Sequence, residues 1–127
     1  MRRLPTLLLV ALIVSVGVSG SPAQVERRVV RLKAERFAFT PSEIVLFDGE
    51  TVELRIKSDD TMHGFHVSVA GIDVPIPKRG QGEATVLLTA PAPGRYDFDC
   101  NRMCGAGHDF MRGTLVVKTR NEGGERR

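Results

Sequence analysis

Tryptophan is absent from this chain, and tyrosine occurs once, at Tyr96. The chain also shows no basic patch interleaved with aromatic side chains, which argues against a nucleic-acid-binding role. No segment repeats itself, so solenoids and other repeat arrays are excluded. No residues show the pattern of a catalytic base with its nucleophile. Cysteine occurs only twice, as Cys100 and Cys104.

One apolar run stands out, and it lies at the start. Arg2 and Arg3 precede Leu7 to Val14, which are apolar without a break, and the run extends to Val18. Small residues follow from Ser19 to Ala23. That order is the layout of a secretory signal peptide, and it predicts a mature protein beginning near Gln24. A short uncleaved membrane anchor is the alternative for residues 1–23, but the run falls short of the ~20 residues of a spanning helix, which favours cleavage. No cysteine follows it, which excludes a lipid-anchored lipoprotein. Loss of the leader removes two of the 18 basic residues and none of the 15 acidic ones, leaving about +1. The basic balance is thus partly a property of the leader.

The rest, residues 24–120, reads as β-strands in one domain, and the 42% hydrophobic content of the whole chain suffices for a core. Val30, Leu32 and Ala34 alternate with Arg31 and Lys33, the period of a half-buried strand. Phe37 to Pro41 turns into a second apolar run, Ile44 to Phe47, and Asp48-Gly49 is a turn signal. Val52, Leu54 and Ile56 give the clearest alternation; Phe65, Val67 and Val69 form another inward face. Residues 71–82 carry two prolines and three glycines and read as loop or edge. Glu83 to Thr89 is a strand, and Pro91 to Gly94 a turn. Tyr96, Phe98 and Cys100 share one face of the next strand; Leu115 and Val117 belong to the last. Seven or eight short strands predict a small antiparallel β-sandwich. Residues 121–127 are polar and predict a disordered tail.

The chemistry gathers in one stretch, CNRMCGAGHDFM, residues 100–111. Cys100, Cys104, His108 and Met111 follow one another at offsets of four, four and three. Thiolate, imidazole and thioether are the donors that select copper over hard cations. A zinc site more often pairs cysteines two apart and uses no methionine. Taken singly, the residues have plainer readings. Two cysteines in an exported chain make a disulfide, Met111 fills a core, and His108 sits on the surface. The joint spacing favours a copper loop, with a structural secreted domain as the competing account.

This stretch resembles the CuA loop of cytochrome c oxidase subunit II and of nitrous oxide reductase. DDTMHGFHV, residues 59–67, resembles the segment that brings the first histidine to that centre, and MRGTLVVK, residues 111–118, resembles the closing strand. The similarity runs from about Phe37 to Lys118 and is greatest to subunit II of the B-type haem-copper oxidases. It implies an all-β fold, the Greek-key β-sandwich of the cupredoxins, behind an N-terminal leader. It implies a dinuclear CuA centre with two copper ions per chain. Cys100 and Cys104 would bridge both ions, His63 and His108 would take one each, and Met111 would be a weak axial ligand. The main-chain carbonyl of Arg102 would serve the other ion, at a position where many oxidases have glutamate. His66 matches a non-ligand histidine, and its strand face points it away from the core. Asp60 matches a common acidic position, although a solvated carboxylate reads equally well. Phe65, Phe98 and Phe110 are expected to bury the loop, and Gly105 and Gly107 to let Cys104 and His108 converge.

The function implied is electron transfer, by a subunit II-like component of a terminal oxidase or by an exported carrier. Its partner would be a redox protein such as a cytochrome c or another cupredoxin, or oxidase subunit I. The location would be periplasmic or otherwise extracytoplasmic, with membrane association through residues 1–23 if the leader stays. The missing tryptophan departs from the aromatic electron-entry patch of many oxidases. Periplasmic copper delivery or storage is the alternative function.

Overall fold

A computed structural model describes residues 25–123, together with Gly17 and residues 20–22. The expected leader, residues 1–23, and the end of the tail, residues 124–127, lie almost entirely outside the described residues.

Among the described residues, nine strands form two packed sheets. They are β1 (Val29–Glu35), β2 (Ala38–Thr40), β3 (Glu43–Phe47), β4 (Thr51–Ser58), β5 (His63–Val67), β6 (Ile72–Ile76), β7 (Ala84–Thr89), β8 (Gly94–Asp99) and β9 (Arg112–Lys118). One sheet runs β2-β1-β4-β7 and the other β3-β9-β8-β5-β6. The alternation in β1 and β4 does what the sequence predicts: Leu32, Ala34, Val52, Leu54 and Ile56 all point into the space between the sheets.

The sandwich is not purely antiparallel. β1 runs parallel to β4, and β3 runs parallel to β9. Alternating apolar residues specify which face of a strand is buried, but not the direction of its neighbour. The expected strand count rises to nine because Phe37 to Thr40 contributes the three-residue β2, and because β6 forms within residues 71–82. β6 is an edge strand, which tolerates Pro75 because one side needs no ladder partner. Val69 does not face inward. The chain leaves the sheet after Val67 for a short 3₁₀ turn, Ser68–Ala70, and Val69 is exposed. At the other end, Arg120–Gly123 form a further 3₁₀ turn.

An aromatic cluster joins the sheets near the β8–β9 end. Phe39 of β2 meets Phe65 of β5 and Phe98 of β8 edge-on, with ring centroids 5.9 and 5.3 Å apart. Phe98 stands directly across from Gly113 of β9, where an added Cβ would collide with its ring. All three rings are buried.

Candidate metal centre

The β8–β9 loop holds Cys100, Cys104, His108 and Met111. It is closed at its base by the Cys100 amide donating to the Met111 carbonyl at 3.0 Å. Inside, the chain makes tight turns in which the amides of His108, Phe110 and Met111 donate to the carbonyls of Gly105, Gly107 and His108. Gly105 has φ +143, which L side chains rarely adopt.

His63 opens β5, a strand hydrogen-bonded on both sides, by β6 and by β8. It is fully buried, and Ser58 is the other buried polar residue among those described. The sulfurs of Cys100 and Cys104 lie 3.7 Å apart, unbonded and both buried. His63 Nδ1 stands 4.0 Å from Cys100 Sγ, and His108 Nδ1 stands 3.7 Å from Cys104 Sγ. Met111 Sδ is 3.8 Å from Cys104 Sγ, while the Arg102 carbonyl accepts from the Cys100 thiol at 3.2 Å. The structure thus gathers all six predicted site residues: His63, Cys100, Arg102, Cys104, His108 and Met111. The two sulfurs lie side by side, His63 Nδ1 beside Cys100 Sγ and His108 Nδ1 beside Cys104 Sγ, and the donor atoms of His63, Cys100 and Cys104 close into a triangle with no side longer than 4.8 Å. Met111 lies at the Cys104 end and the Arg102 carbonyl at the Cys100 end.

Asp60 is not a free surface carboxylate. Its Oδ1 lies 2.7 Å from His63 Nε2. Burial opposes its charge, but hydrogen bonds from His63 and from the amides of Arg36 and Thr61 bring its pKa down to about 2. An ionised Asp60 only accepts, so Nε2 is the donor in this pair, and Nδ1 is the nitrogen turned toward the sulfurs. A carboxylate that fixes the tautomer of a ligating imidazole is a regular partner of metal-bound histidine. Ser58 and Thr61 complete the turn: Ser58 Oγ receives the Asp60 amide at 3.1 Å, and the Thr61 amide donates to Asp60 Oδ1 at 2.7 Å.

Burial, and then the neighbouring Cys100 sulfur, push the Cys104 thiol up to about 11, with the Arg36 charge acting the other way. In the metal-free protein at neutral pH, Cys104 is therefore protonated, and metal binding expels that proton.

His66, three residues after His63, faces away from the core and pairs with Asp99 of β8, Nδ1 to Oδ1, at 2.9 Å. Phe110 does not bury the loop; it is 81% exposed at the end of the 3₁₀ turn His108–Phe110. Phe37 takes the place expected for it. An added Cβ on Gly105 would come within 2.9 Å of the Phe37 ring, and one on Gly107 would overlap it. Arg36 Nε donates to the Cys104 carbonyl at 2.8 Å. Sequence reading missed both residues. Their contacts join positions 68 and more apart, and no local pattern marks them. On the far side, Asn101 Nδ2 and Arg102 Nη1 both donate to Asp73 Oδ1 of β6, at 2.9 and 3.0 Å. An open cavity of about 300 Å³ reaches the loop between Asp99, Cys100, His108 and Arg112.

The donor set suits copper. Two free sulfurs 3.7 Å apart both lie within reach of a single ion at a metal–thiolate bond of about 2.3 Å. No carboxylate enters the buried group of His63, Cys100 and Cys104, whose donor atoms lie within 4.8 Å of one another. Sulfur and imidazole without hard oxygen is a soft-to-borderline set.

Two facing sheets with metal donors gathered at one end define a cupredoxin, and the comparisons agree. A family model described as a cupredoxin-like domain matches residues 8–117. The chain belongs to the cupredoxin-like family. Over 90 residues, 70% of its length, it is 40% identical to cytochrome c oxidase subunit 2 of Thermus thermophilus, and it spans 64% of that relative. Its fold matches the periplasmic domain of subunit II of cytochrome oxidase from Bradyrhizobium japonicum, with TM-score 0.66, 15% identity and coverage of 76% and 87% of the two chains. It also matches a chain of a haem-copper terminal oxidase dimer, with TM-score 0.64, 24% identity and coverage of 78% and 70%.

Proposed function

We propose that this domain is an electron-transfer module built on a dinuclear copper centre, as in cytochrome oxidase subunit II. One observation carries the reading: the two sulfurs sit side by side at 3.7 Å, and each has a histidine nitrogen within 4.0 Å. Such an arrangement has two poles. His63 and the Arg102 carbonyl serve one, and His108 and Met111 serve the other, with the sulfurs common to both. Copper bound there would supply a one-electron redox step. The chain's part is to hold the donors still and keep water away. His63 is locked by Asp60, and both cysteines are buried, 3% and 4% exposed. Donors that do not move between oxidation states keep the reorganisation cost of electron transfer small.

The partner is a redox protein such as a cytochrome c, another cupredoxin or oxidase subunit I. The location is the extracytoplasmic side, in keeping with the leader expected at residues 1–23. No helix among the described residues is long and apolar enough to cross a membrane.

The test is a redox titration of the copper-loaded protein followed by mixing with reduced cytochrome c. A reversible one-electron couple that reoxidises the cytochrome supports the proposal. Copper released on reduction, with no reversible couple, would support copper delivery or storage instead.

A further inference from the structure

The two-residue turn between β1 and β2, Arg36-Phe37, belongs to the sheet that carries none of the metal donors, yet it touches both halves of the centre. The Arg36 amide donates to Asp60 Oδ2 at 2.9 Å, and Asp60 in turn fixes His63. The Arg36 guanidinium donates to the Cys104 carbonyl at 2.8 Å. The Phe37 ring lies over Gly105 and Gly107, leaving no room for a side chain at either. A loop whose own backbone bonds, beyond the one that closes its base, are short-range turns is thereby tied to a sheet edge from outside.

We propose that Arg36 is a positioning residue of the metal centre: its guanidinium sets the placement of the Cys104 segment before metal arrives, and its fixed charge favours the reduced state. The second part rests on the copper reading above; the first does not. The physical basis is direct. A carbonyl held by a charged donor is held more firmly than by a neutral one. Cys104 carries a donor sulfur on the residue whose carbonyl is held, so fixing that carbonyl restricts the sulfur. A cation beside the centre stabilises the state with one more electron, which raises the reduction potential.

The substitutions are Arg36→Met and Arg36→Lys. Both leave the main-chain bond to Asp60 in place and remove or simplify only the side-chain contact. In the metal-free protein, Arg36→Met is expected to speed amide hydrogen exchange about tenfold at His108, Phe110 and Met111, leaving β4 and β9 unchanged. In the copper-loaded protein it is expected to lower the midpoint potential, and Arg36→Lys to restore most of that shift. Unchanged exchange in the loop, or faster exchange spread evenly over both sheets, overturns the positioning role. An unmoved potential in Arg36→Met, or a loss not recovered by Arg36→Lys, overturns the electrostatic role. If the parent protein forms no copper pair, the proposed function fails by itself, and the exchange result still decides the placement of the loop.

Discussion

His63 and Cys104 contribute donors to one centre but are held in opposite ways. His63 stands on β5, between two hydrogen-bonded neighbours, and its imidazole is fixed by a carboxylate three residues earlier. Cys104 stands in a loop closed at its base by the Cys100–Met111 backbone bond and otherwise only by short turns, and further constraints arrive from Arg36 and Phe37, far off in sequence. The first donor is placed by local backbone order. The second is placed by tertiary contacts, so it is the side of the centre more easily disturbed. A centre built this way has one rigid wall and one adjustable wall, which suits a site that must admit metal and then hold it without movement.

The largest effect expected on the adjustable side is chemical. Outside the cytosol, neighbouring thiols oxidise. Cys100 and Cys104 sulfurs already lie 3.7 Å apart, so a small loop movement would bring them to bonding distance. Air-oxidised metal-free protein is expected to form an internal disulfide and to take up no copper until a thiol reductant is added. Thiol titration and metal analysis check this; full copper uptake with the disulfide intact would remove the sulfurs from the site.

The rigid side is probed by two histidines on one strand. His63→Ala is expected to abolish the mixed-valence absorption of the copper-loaded protein, whereas His66→Ala leaves it nearly intact. The two share a five-residue strand, but one is buried beside sulfur and the other pairs with Asp99 outside. An absorption spectrum of each variant settles the pair.

Gly107→Ala drives a methyl into the Phe37 ring. Overpacking of this kind costs about 1–3 kcal/mol, read as a lowered urea midpoint of the metal-free protein. Phe37→Ala in the same chain should recover part of the loss, since contacting residues do not add independently. The same change at Gly64 meets Asn101 and Arg102, and would disturb the loop from its other side.

A smaller effect is expected from acid. Asp60 is held at about 2 in the fold against 3.8 as a free carboxyl. Its contribution is therefore complete above about pH 4 and is lost as the pH falls through about 2, amounting to at most about 2 kcal/mol. Asp60→Asn should flatten that part of the stability curve in chemical denaturation across pH.

Legibility in the sequence follows the same division. β4 could be read residue by residue, because alternation of Val52, Leu54 and Ile56 with charged neighbours is itself the cause of burial. His66 could be set aside by strand parity for the same reason, whereas His63 was legible through the resemblance of its His-Gly-Phe context. The ligand loop was legible through its donor spacing, whose chemistry is local. Parallel pairing of β1 with β4 was not legible, since periodicity carries no direction. Nor was the exchange of Phe110 for Phe37 at the loop's surface: both are phenylalanines beside apolar runs, and which one packs depends on how a turn of the opposite sheet meets Gly105 and Gly107. Arg36 carried no signal at all, because a lone arginine between strands reads as solvated.

The central claim is that two sulfurs shared between two histidines hold a pair of copper ions. Metal analysis together with electron paramagnetic resonance, on reduced protein given excess copper and then freed of the surplus, tests it most directly. Two copper ions per chain are expected, with the unpaired electron coupled to both nuclei. One copper per chain with the intense blue of a mononuclear thiolate site would contradict the account.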